Sequence, residues 1–216
     1  MNWTAYVDGY CERTGPGLWA EPFNDLANLA FLVAAGMTWW RAGGRRTGRL
    51  LAALIGLIFV ASTVFHLVAT RWGAVADSTA ILLFVLFYAI AFPRIFFRVP
   101  AKWAWLGAPA FLALTAAIAA LGGSLYLPAL VGLAGFAVVL GVKRDPYCLH
   151  FAMAAALFAL SLAFRSIDDV VCGDFPAGTH FLWHLLNAVV LYLVSNAMIA
   201  RTAEAPSPPR DEGAPA

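Results

Sequence analysis

The stretch THFLWHLLNAVVLYLV, residues 179–194, opens a long apolar run with two histidines. About 20 mostly apolar residues span a bilayer as a helix, and the run continues to about residue 200. His180 and His184 are four residues apart, so a helix places both imidazoles on one face, with Cβ atoms about 6 Å apart. The stretch therefore predicts a membrane helix that carries two ionisable side chains on one face.

The composition is that of an integral membrane protein. Of the 216 residues, 62% are hydrophobic and 12% are charged, whereas soluble domains carry roughly 25% charged residues. The mean hydropathy of +0.78 points the same way. The first 21 residues are polar and mixed, without the apolar core of a cleavable signal peptide. The sequence has no basic patch interleaved with aromatic residues, so we expect no nucleic-acid partner.

The hydropathy pattern predicts an all-α, multi-pass bundle of seven transmembrane helices. The fourth and fifth spans are separated only by GGS, residues 122–124, so these two could form one kinked helix. We divide the chain into an N-terminal loop segment (1–21), a seven-helix transmembrane domain (22–201) and a disordered tail (202–216). The predicted spans cover residues 22–40, 50–69, 76–93, 103–121, 124–142, 148–165 and 178–200.

The distribution of Lys and Arg predicts the orientation. Eleven of the 14 fall on one side of the seven spans and three on the other. Because positive charge favours cytoplasmic loops, we expect the N-terminus outside and the C-terminus in the cytoplasm. Arg outnumbers Lys twelve to two and Ala is abundant, which is typical of a GC-rich bacterial genome. We therefore expect a bacterial cytoplasmic (inner) membrane, with His180 and His184 towards the outer face.

Five polar side chains fall at one depth in this topology, just below the outer surface: Ser62, His66, Asp77, His180 and His184. Ionisable residues in membrane helices are costly and indicate function. The three histidines provide the ligand number of a catalytic zinc site, which keeps one position open for water. Asp77 would accept a proton from that water, and Ser62 would orient it or donate to an oxyanion.

Other uses of these residues stay open. A single membrane histidine is often only a packing residue, although a haem does not fit, because axial ligands approach from opposite faces and one HxxxH pair cannot supply both. A non-catalytic receptor or scaffold with a structural metal, or a small-molecule or proton carrier, would use the same groups. Asp77 and Ser62 favour catalysis, since a closed structural site needs neither. His150 lies on the opposite side and is interpreted as structural.

The motif SxxxH, with Asp eleven residues on and HxxxH in the last span, resembles that of the alkaline ceramidase family, whose superfamily includes adiponectin-receptor-like proteins. The stretch YCER…WAEPFNDLAN is similar to the ceramidase signature before the first helix. The resemblance implies a zinc amidase that splits ceramide into fatty acid and sphingoid base. For a bacterial protein, another N-acyl lipid is the alternative substrate. It implies that His66, His180 and His184 bind zinc, that Asp77 transfers a proton, and that Ser62 assists at the oxyanion.

The resemblance also implies a calcium site in the N-terminal loop, and here the match is partial. Gly9 stands where the family has its aspartate, and the loop is two residues shorter. Tyr10 would contribute only a backbone carbonyl, and Thr14 replaces an asparagine. An acidic, solvated loop is the alternative. Oxygen ligands suit a hard cation, and the candidates are Asp8, Tyr10, Glu12, Thr14 and Glu21.

The cysteines suggest one covalent link. Cys11 and Cys172 both fall on the outer side, where disulfides are permitted, and the resemblance supports their pairing. Cys148 falls on the cytoplasmic side and is expected to be a free thiol. Asn24 and Asn28 are expected to make polar contacts between helices and not to bind metal.

Overall fold

The computed structural model describes residues 2–204, and in this range the chain is helical, without a strand. The single β-bridge joins Tyr6 to Thr70. The helices, in chain order, are α1 (Pro22–Ala42), α2 (Arg46–Val68), α3 (Arg71–Phe96), α4 (Ala101–Ala104), α5 (Gly107–Ala120), α6 (Leu127–Val142), α7 (Cys148–Val171) and α8 (His180–Ala203).

Among the described residues, five helical segments are long and apolar enough to cross a membrane: α2, α3, the stretch from α4 to α5, α7 and α8. The 16-residue α6 is apolar but shorter, and α1 is not in this set. Each of the seven predicted spans nevertheless coincides with a helix. The all-helical architecture and the membrane character expected from the sequence are therefore confirmed at this coarser level.

The break between the fourth and fifth spans separates two helices and is not a kink. α5 ends at Ala120, and Gly122 adopts a φ of 78°, a conformation that side chains with a Cβ rarely adopt. α6 then begins at Leu127. The fourth span itself starts as the one-turn helix α4 after Pro100 and continues as α5.

α8 is the central helix of the bundle. It packs against α1 and α7, and also touches α2 and α3. The remaining helices close the bundle through the neighbouring pairs α1–α2, α2–α3, α3–α5, α5–α6 and α6–α7. The Tyr88 hydroxyl donates to the Val194 carbonyl oxygen at 2.9 Å, which joins α3 to α8 in the interior. By contrast, α5 has no buried residue and exposes apolar side chains, as suits a lipid-facing helix.

The ends of α2 and α7 and the starts of α1, α3 and α8 lie at one end of the bundle, called here the site end. A turn of two residues, Ala69 and Thr70, connects α2 to α3, and Ala69 closes α2 with a φ of 47°. The N-terminal segment lies across this turn. The Val7 amide donates to the Ala69 carbonyl at 2.8 Å, and the Arg71 amide donates to the Ala5 carbonyl at 3.1 Å.

At the opposite end, polar contacts join the α6–α7 loop to the end of α8. Arg201 and Asp145 form an ion pair at 2.6 Å, and the Tyr147 hydroxyl donates to Glu204 at 2.8 Å. His150 is exposed here, against the Tyr147 ring. α8 extends to Ala203, so the predicted tail overlaps its last two residues. Residues 205–216 of that tail lie outside the described residues.

Candidate metal centre

The structure brings the three predicted histidines together at the site end. His66 comes from the last turn of α2, and His180 and His184 come from the first turns of α8. The Nε2 atom of His184 lies 3.3 Å from that of His66 and 3.1 Å from that of His180. All three side chains are buried. Within residues 2–204 this is the only group of three or more His, Cys, Asp or Glu residues that could hold a metal ion.

The spacing of these nitrogens fits a tetrahedral metal. Zinc binds imidazole nitrogen at about 2.0–2.1 Å, so two ligands of a tetrahedral site are about 3.3 Å apart. The separations of the His184 Nε2 atom from those of His66 and His180 are close to this value. The ligand atoms of the triad all lie within 4.8 Å of one another.

Groups behind two of the rings orient their nitrogens. The Nδ1 atom of His66 lies 2.7 Å from the Glu21 Oε2 atom, and that of His184 lies 3.3 Å from the Asn24 carbonyl oxygen. Because both partners are acceptors, each Nδ1 carries the proton and each Nε2 keeps a free lone pair. Metal-binding histidines typically have such partners. The Nδ1 atom of His180 is buried without a hydrogen-bond partner in residues 2–204.

Ser62, near the end of α2, and Asp77, near the start of α3, are at the site end together with the triad. Ser62 is one turn before His66 on α2, and its hydroxyl donates to the Asn28 Oδ1 atom on α1 at 3.0 Å. Ser62 and His66 are both among the side chains close to the Asp77 carboxyl. The Oδ1 atom of Asp77 is buried without a hydrogen-bond partner among the described residues. An acceptor of this kind can receive a proton from a group bound at the triad.

Tyr10 covers the triad from the N-terminal segment. Its ring stacks on His180 with a centroid separation of 3.8 Å and lies 5.2 Å from the His66 ring. Burial raises the pKa of its hydroxyl to about 12, so Tyr10 is neutral at ordinary pH. In the sequence-based prediction Tyr10 contributed only a backbone carbonyl to calcium, whereas here its ring closes one side of the histidine site.

Among the five candidate calcium residues, the carboxylates of Asp8, Glu12 and Glu21 do not form a group that could hold a metal ion within residues 2–204. Both carboxylate oxygens of Glu12 accept backbone amides at the start of α1, from Phe23 at 2.7 Å and Asn24 at 3.0 Å. Burial raises the pKa of Glu12, and these two hydrogen bonds partly offset the rise. Asp8 and Thr14 are exposed. The Thr14 hydroxyl is 3.4 Å from the Ala20 carbonyl oxygen, to which it donates.

Glu21 is a hydrogen-bond partner of His66 and of Arg13 in the N-terminal segment. Its Oε1 atom accepts from the Arg13 side chain, and its Oε2 atom accepts from the Asn24 side chain at 2.9 Å as well as from His66. Burial alone would raise the pKa of Glu21, but the contacts with His66 and Arg13 outweigh it and lower the pKa. The calcium site stays a prediction, and the geometry of these carboxylates does not support it.

Asp168 fixes the start of α8, a role that the sequence analysis did not find. Its carboxylate accepts the backbone amides of Thr179 at 2.6 Å, His180 at 2.9 Å and Cys11 at 2.9 Å. Gly178 has a φ of 60°, and a Cβ there would overlap the Asp168 carboxylate. Asp168 therefore joins α7, the first turn of α8 and the N-terminal segment. The signal in the sequence was a carboxylate followed ten residues later by glycine and then threonine and histidine.

The cysteines are arranged as expected. Cys11 and Cys172 form a disulfide with a Cα–Cα distance of 5.4 Å, which ties the N-terminal segment to the end of α7. Cys148 is a free, half-buried thiol at the start of α7, at the opposite end of the bundle.

An apolar cavity of about 290 Å³ lies next to the triad, between α3, α5, α6, α7 and α8. Its residues include Ser78, which follows Asp77, and Trp183, which precedes His184. Phe31 also lines it, and its ring lies 5.8 Å from the His184 ring. The cavity continues towards Tyr88 and Val194 in the centre of the bundle. Nearly all of its wall is hydrocarbon, which suits an alkyl chain.

Comparison with known proteins assigns no family. No protein-family model matches the chain, and no curated protein or solved structure matches it. The resemblance to alkaline ceramidases depends on the motif residues quoted above. The class that fold and site define is a helical membrane protein with a buried histidine triad suited to a metal ion.

Proposed function

We propose that the protein is a zinc-dependent intramembrane hydrolase that cleaves the amide bond of ceramide-like N-acyl lipids. The observation that carries the proposal is that the Nε2 atoms of three histidines converge. Two of the rings, those of His66 and His184, are oriented by acceptors that contact their Nδ1 atoms. Imidazole nitrogens in this arrangement are typical zinc ligands. When bound, zinc would activate a water molecule and polarise the amide carbonyl.

The residues of the chain then have separate roles. His66, His180 and His184 would hold the ion. Asp77, whose Oδ1 atom lacks a partner among the described residues, would receive the proton and pass it to the leaving amine. Ser62, whose hydroxyl donates to Asn28 in this structure, would instead donate to the developing oxyanion.

The apolar cavity supports a lipid as the substrate. Its hydrocarbon wall would enclose an acyl chain and exclude water, while the scissile amide would lie beside the triad. The Arg165 guanidinium lies 4.8 Å from the Tyr126 ring centre and 5.3 Å from that of Trp183, and both rings line the cavity. A cation at this position suits the polar end of a lipid. The partners are thus an N-acyl lipid and the bilayer.

The proposal includes the topology. Seven spans, with the N-terminus outside and the C-terminus in the cytoplasm, would put the triad near the outer face of a bacterial inner membrane. The excess of Lys and Arg at the opposite end of the bundle supports this orientation. An amide just below the lipid head groups would then be level with the histidines.

The test uses detergent-purified protein with an N-acyl sphingoid lipid. Wild-type protein should contain about one zinc per chain and release fatty acid. A chelator should stop release, and added zinc should restore it. His180→Ala and His184→Ala should lose both zinc and release. Turnover that persists in zinc-free protein would overturn the mechanism.

The second candidate is a non-catalytic receptor or scaffold with a structural metal. The observation that favours it is the burial of all three histidines, since structural zinc sites are closed. This candidate predicts a zinc ion with a fourth protein ligand and no release of fatty acid from any N-acyl lipid. The same zinc and product measurements therefore separate the two functions.

A further inference from the structure

Arg13 forms a buried ion pair directly behind the histidine triad. Its side chain and that of Glu21 are completely enclosed. The Arg13 Nε atom donates to Glu21, and the Nη1 atom donates to the Val7 carbonyl oxygen at 2.7 Å. The guanidinium carbon also lies 4.9 Å from the Tyr10 ring centre and 4.8 Å from that of Phe65. Two acceptors and two aromatic rings thus contact this cation, while its buried Nη2 atom has no hydrogen-bond partner among the described residues.

The same segment is where the resemblance implies calcium, and the residues present do not fit that ion. Calcium takes six to eight oxygen ligands. Each oxygen of Glu12 accepts a backbone amide, and each oxygen of Glu21 accepts at least one side-chain donor, so N–H groups already contact all four oxygens. A fixed guanidinium already occupies the space beside Glu21 and the Val7 carbonyl, and it would repel a divalent cation.

We propose that Arg13 is the built-in cation of the N-terminal segment and makes the protein independent of calcium. Arg13 neutralises the buried Glu21 carboxylate and holds it where its second oxygen accepts from His66. An isolated buried carboxylate would be strongly unfavourable, so Glu21 depends on this partner. An arginine suits the role because it is always charged and its planar donors reach two acceptors at once.

Arg13 is in this sense a positioning residue that acts on the metal centre through Glu21. The chain of contacts runs from Arg13 to Glu21 and from Glu21 to the Nδ1 atom of His66. Loss of a carboxylate behind a metal-binding histidine typically weakens metal binding 10–100-fold. The inference rests on the proposed function only in that His66 is taken as a metal ligand.

The first experiment is a calcium titration of the wild-type protein as purified, by isothermal calorimetry. We expect no saturable binding at calcium concentrations up to about 1 mM, the range of weak extracellular sites. The Tm should be the same with and without calcium. Saturable binding of one calcium per chain, with a rise in Tm, would overturn the proposal. This result does not depend on whether the protein hydrolyses any lipid.

The second experiment measures zinc affinity by competition with a chromophoric chelator. Arg13→Met should weaken zinc binding. Arg13→Lys should recover part of the loss, because lysine restores the positive charge but lacks the planar donors that reach two acceptors at once. Glu21→Gln should weaken binding about 10–100-fold. Arg71→Met is the matched control, since Arg71 is exposed at the same end of the bundle. Wild-type zinc affinity and Tm in Arg13→Met would contradict the proposal.

The outcomes separate the two claims. If Arg13→Met fails to fold, Arg13→Lys and the calcium titration still decide the role of Arg13. If wild-type protein binds no zinc, the proposed function fails. The calcium titration still tests whether Arg13 makes the protein independent of calcium.

Discussion

Single residues set the direction in which the histidine rings point. Glu21 lies behind His66, and the Asn24 carbonyl lies behind His184, so both rings turn Nε2 towards the shared centre. The HxxxH spacing predicts that His180 and His184 meet, because residues four apart share a helix face. Glu21 and His66 are 45 residues apart. Their contact depends on an irregular segment with no period, so hydropathy and spacing could not predict it.

A substitution of Asp77 tests its role as the proton acceptor. Asp77→Asn keeps the shape of the side chain but cannot accept a proton at neutral pH. General acid–base catalysis contributes about 10²–10⁴-fold to rate, so we expect fatty-acid release to fall by that factor. Zinc content, measured by mass spectrometry of the metal, should be unchanged because Asp77 is not one of the ligands.

The matched control is Asp169→Asn, since Asp169 is an exposed carboxylate at the same end of the bundle. It should keep wild-type rate and zinc content. An Asp77→Asn protein that hydrolyses the lipid as fast as wild type would exclude Asp77 from the reaction.

At the scale of elements, the apolar part of each helix is predictable and its ends are not. α3 begins at Arg71, five residues before the predicted start at 76, and α7 continues to Val171, six residues after the predicted end at 165. Hydropathy detects the segment that contacts lipid, whereas the backbone hydrogen bonds continue into polar residues. In α7 the extension contains Asp168, whose charge is satisfied by three backbone amides.

Asp168→Asn tests how the first turn of α8 is held. The amide oxygen can still accept from Thr179 and His180, but the NH₂ group would face the Cys11 amide, which is itself a donor. The net cost of a lost hydrogen bond to a charged group is about 1.5–3 kcal/mol. We expect a lower Tm in detergent and weaker zinc binding, since His180 is the first residue of α8. Asp174→Asn, an exposed site in the following loop, should change neither.

The Cys11–Cys172 disulfide joins the same two parts of the chain as the hydrogen bond between Asp168 and the Cys11 amide. The double variant Cys11→Ser/Cys172→Ser frees the N-terminal segment from α7, across a sequence separation of 161 residues. Loss of a native disulfide typically costs about 2–5 kcal/mol. Thermal unfolding in detergent should show a clear fall in Tm, which a reductant should reproduce in wild type. Cys148→Ser should behave as wild type, because Cys148 is a free thiol. An unchanged Tm in the double variant would mean that the segment is held by its other contacts.

At the scale of the whole molecule, the membrane character follows from composition, and the cavity does not. Seven apolar runs predict seven helices, and each prediction coincides with a helix. The cavity depends on which faces of α3, α6 and α8 meet, and on side chains such as Tyr88 and Trp183 that leave space between them. Helices that are apolar on all sides carry no pattern that predicts such a space.

Two glycines of α6 allow a controlled test of the cavity. Gly132 lines it, whereas Gly135 does not, and a Cβ at either position would meet nothing within 4 Å. Gly132→Leu should shorten the cavity and reduce release from long-chain N-acyl lipids by about tenfold or more relative to short-chain ones, since each methylene in a pocket is worth about tenfold or more. Gly135→Leu should leave the chain-length profile unchanged. Identical profiles for both variants would place the acyl chain elsewhere.

X-ray absorption spectroscopy at the zinc edge on the purified protein tests the central claim most directly. The account predicts one zinc per chain with three imidazole nitrogens at about 2.0–2.1 Å and one oxygen ligand. The signal should disappear in the His180→Ala/His184→Ala protein. A wild-type protein without bound metal, or a metal signal that survives this double substitution, would contradict the account.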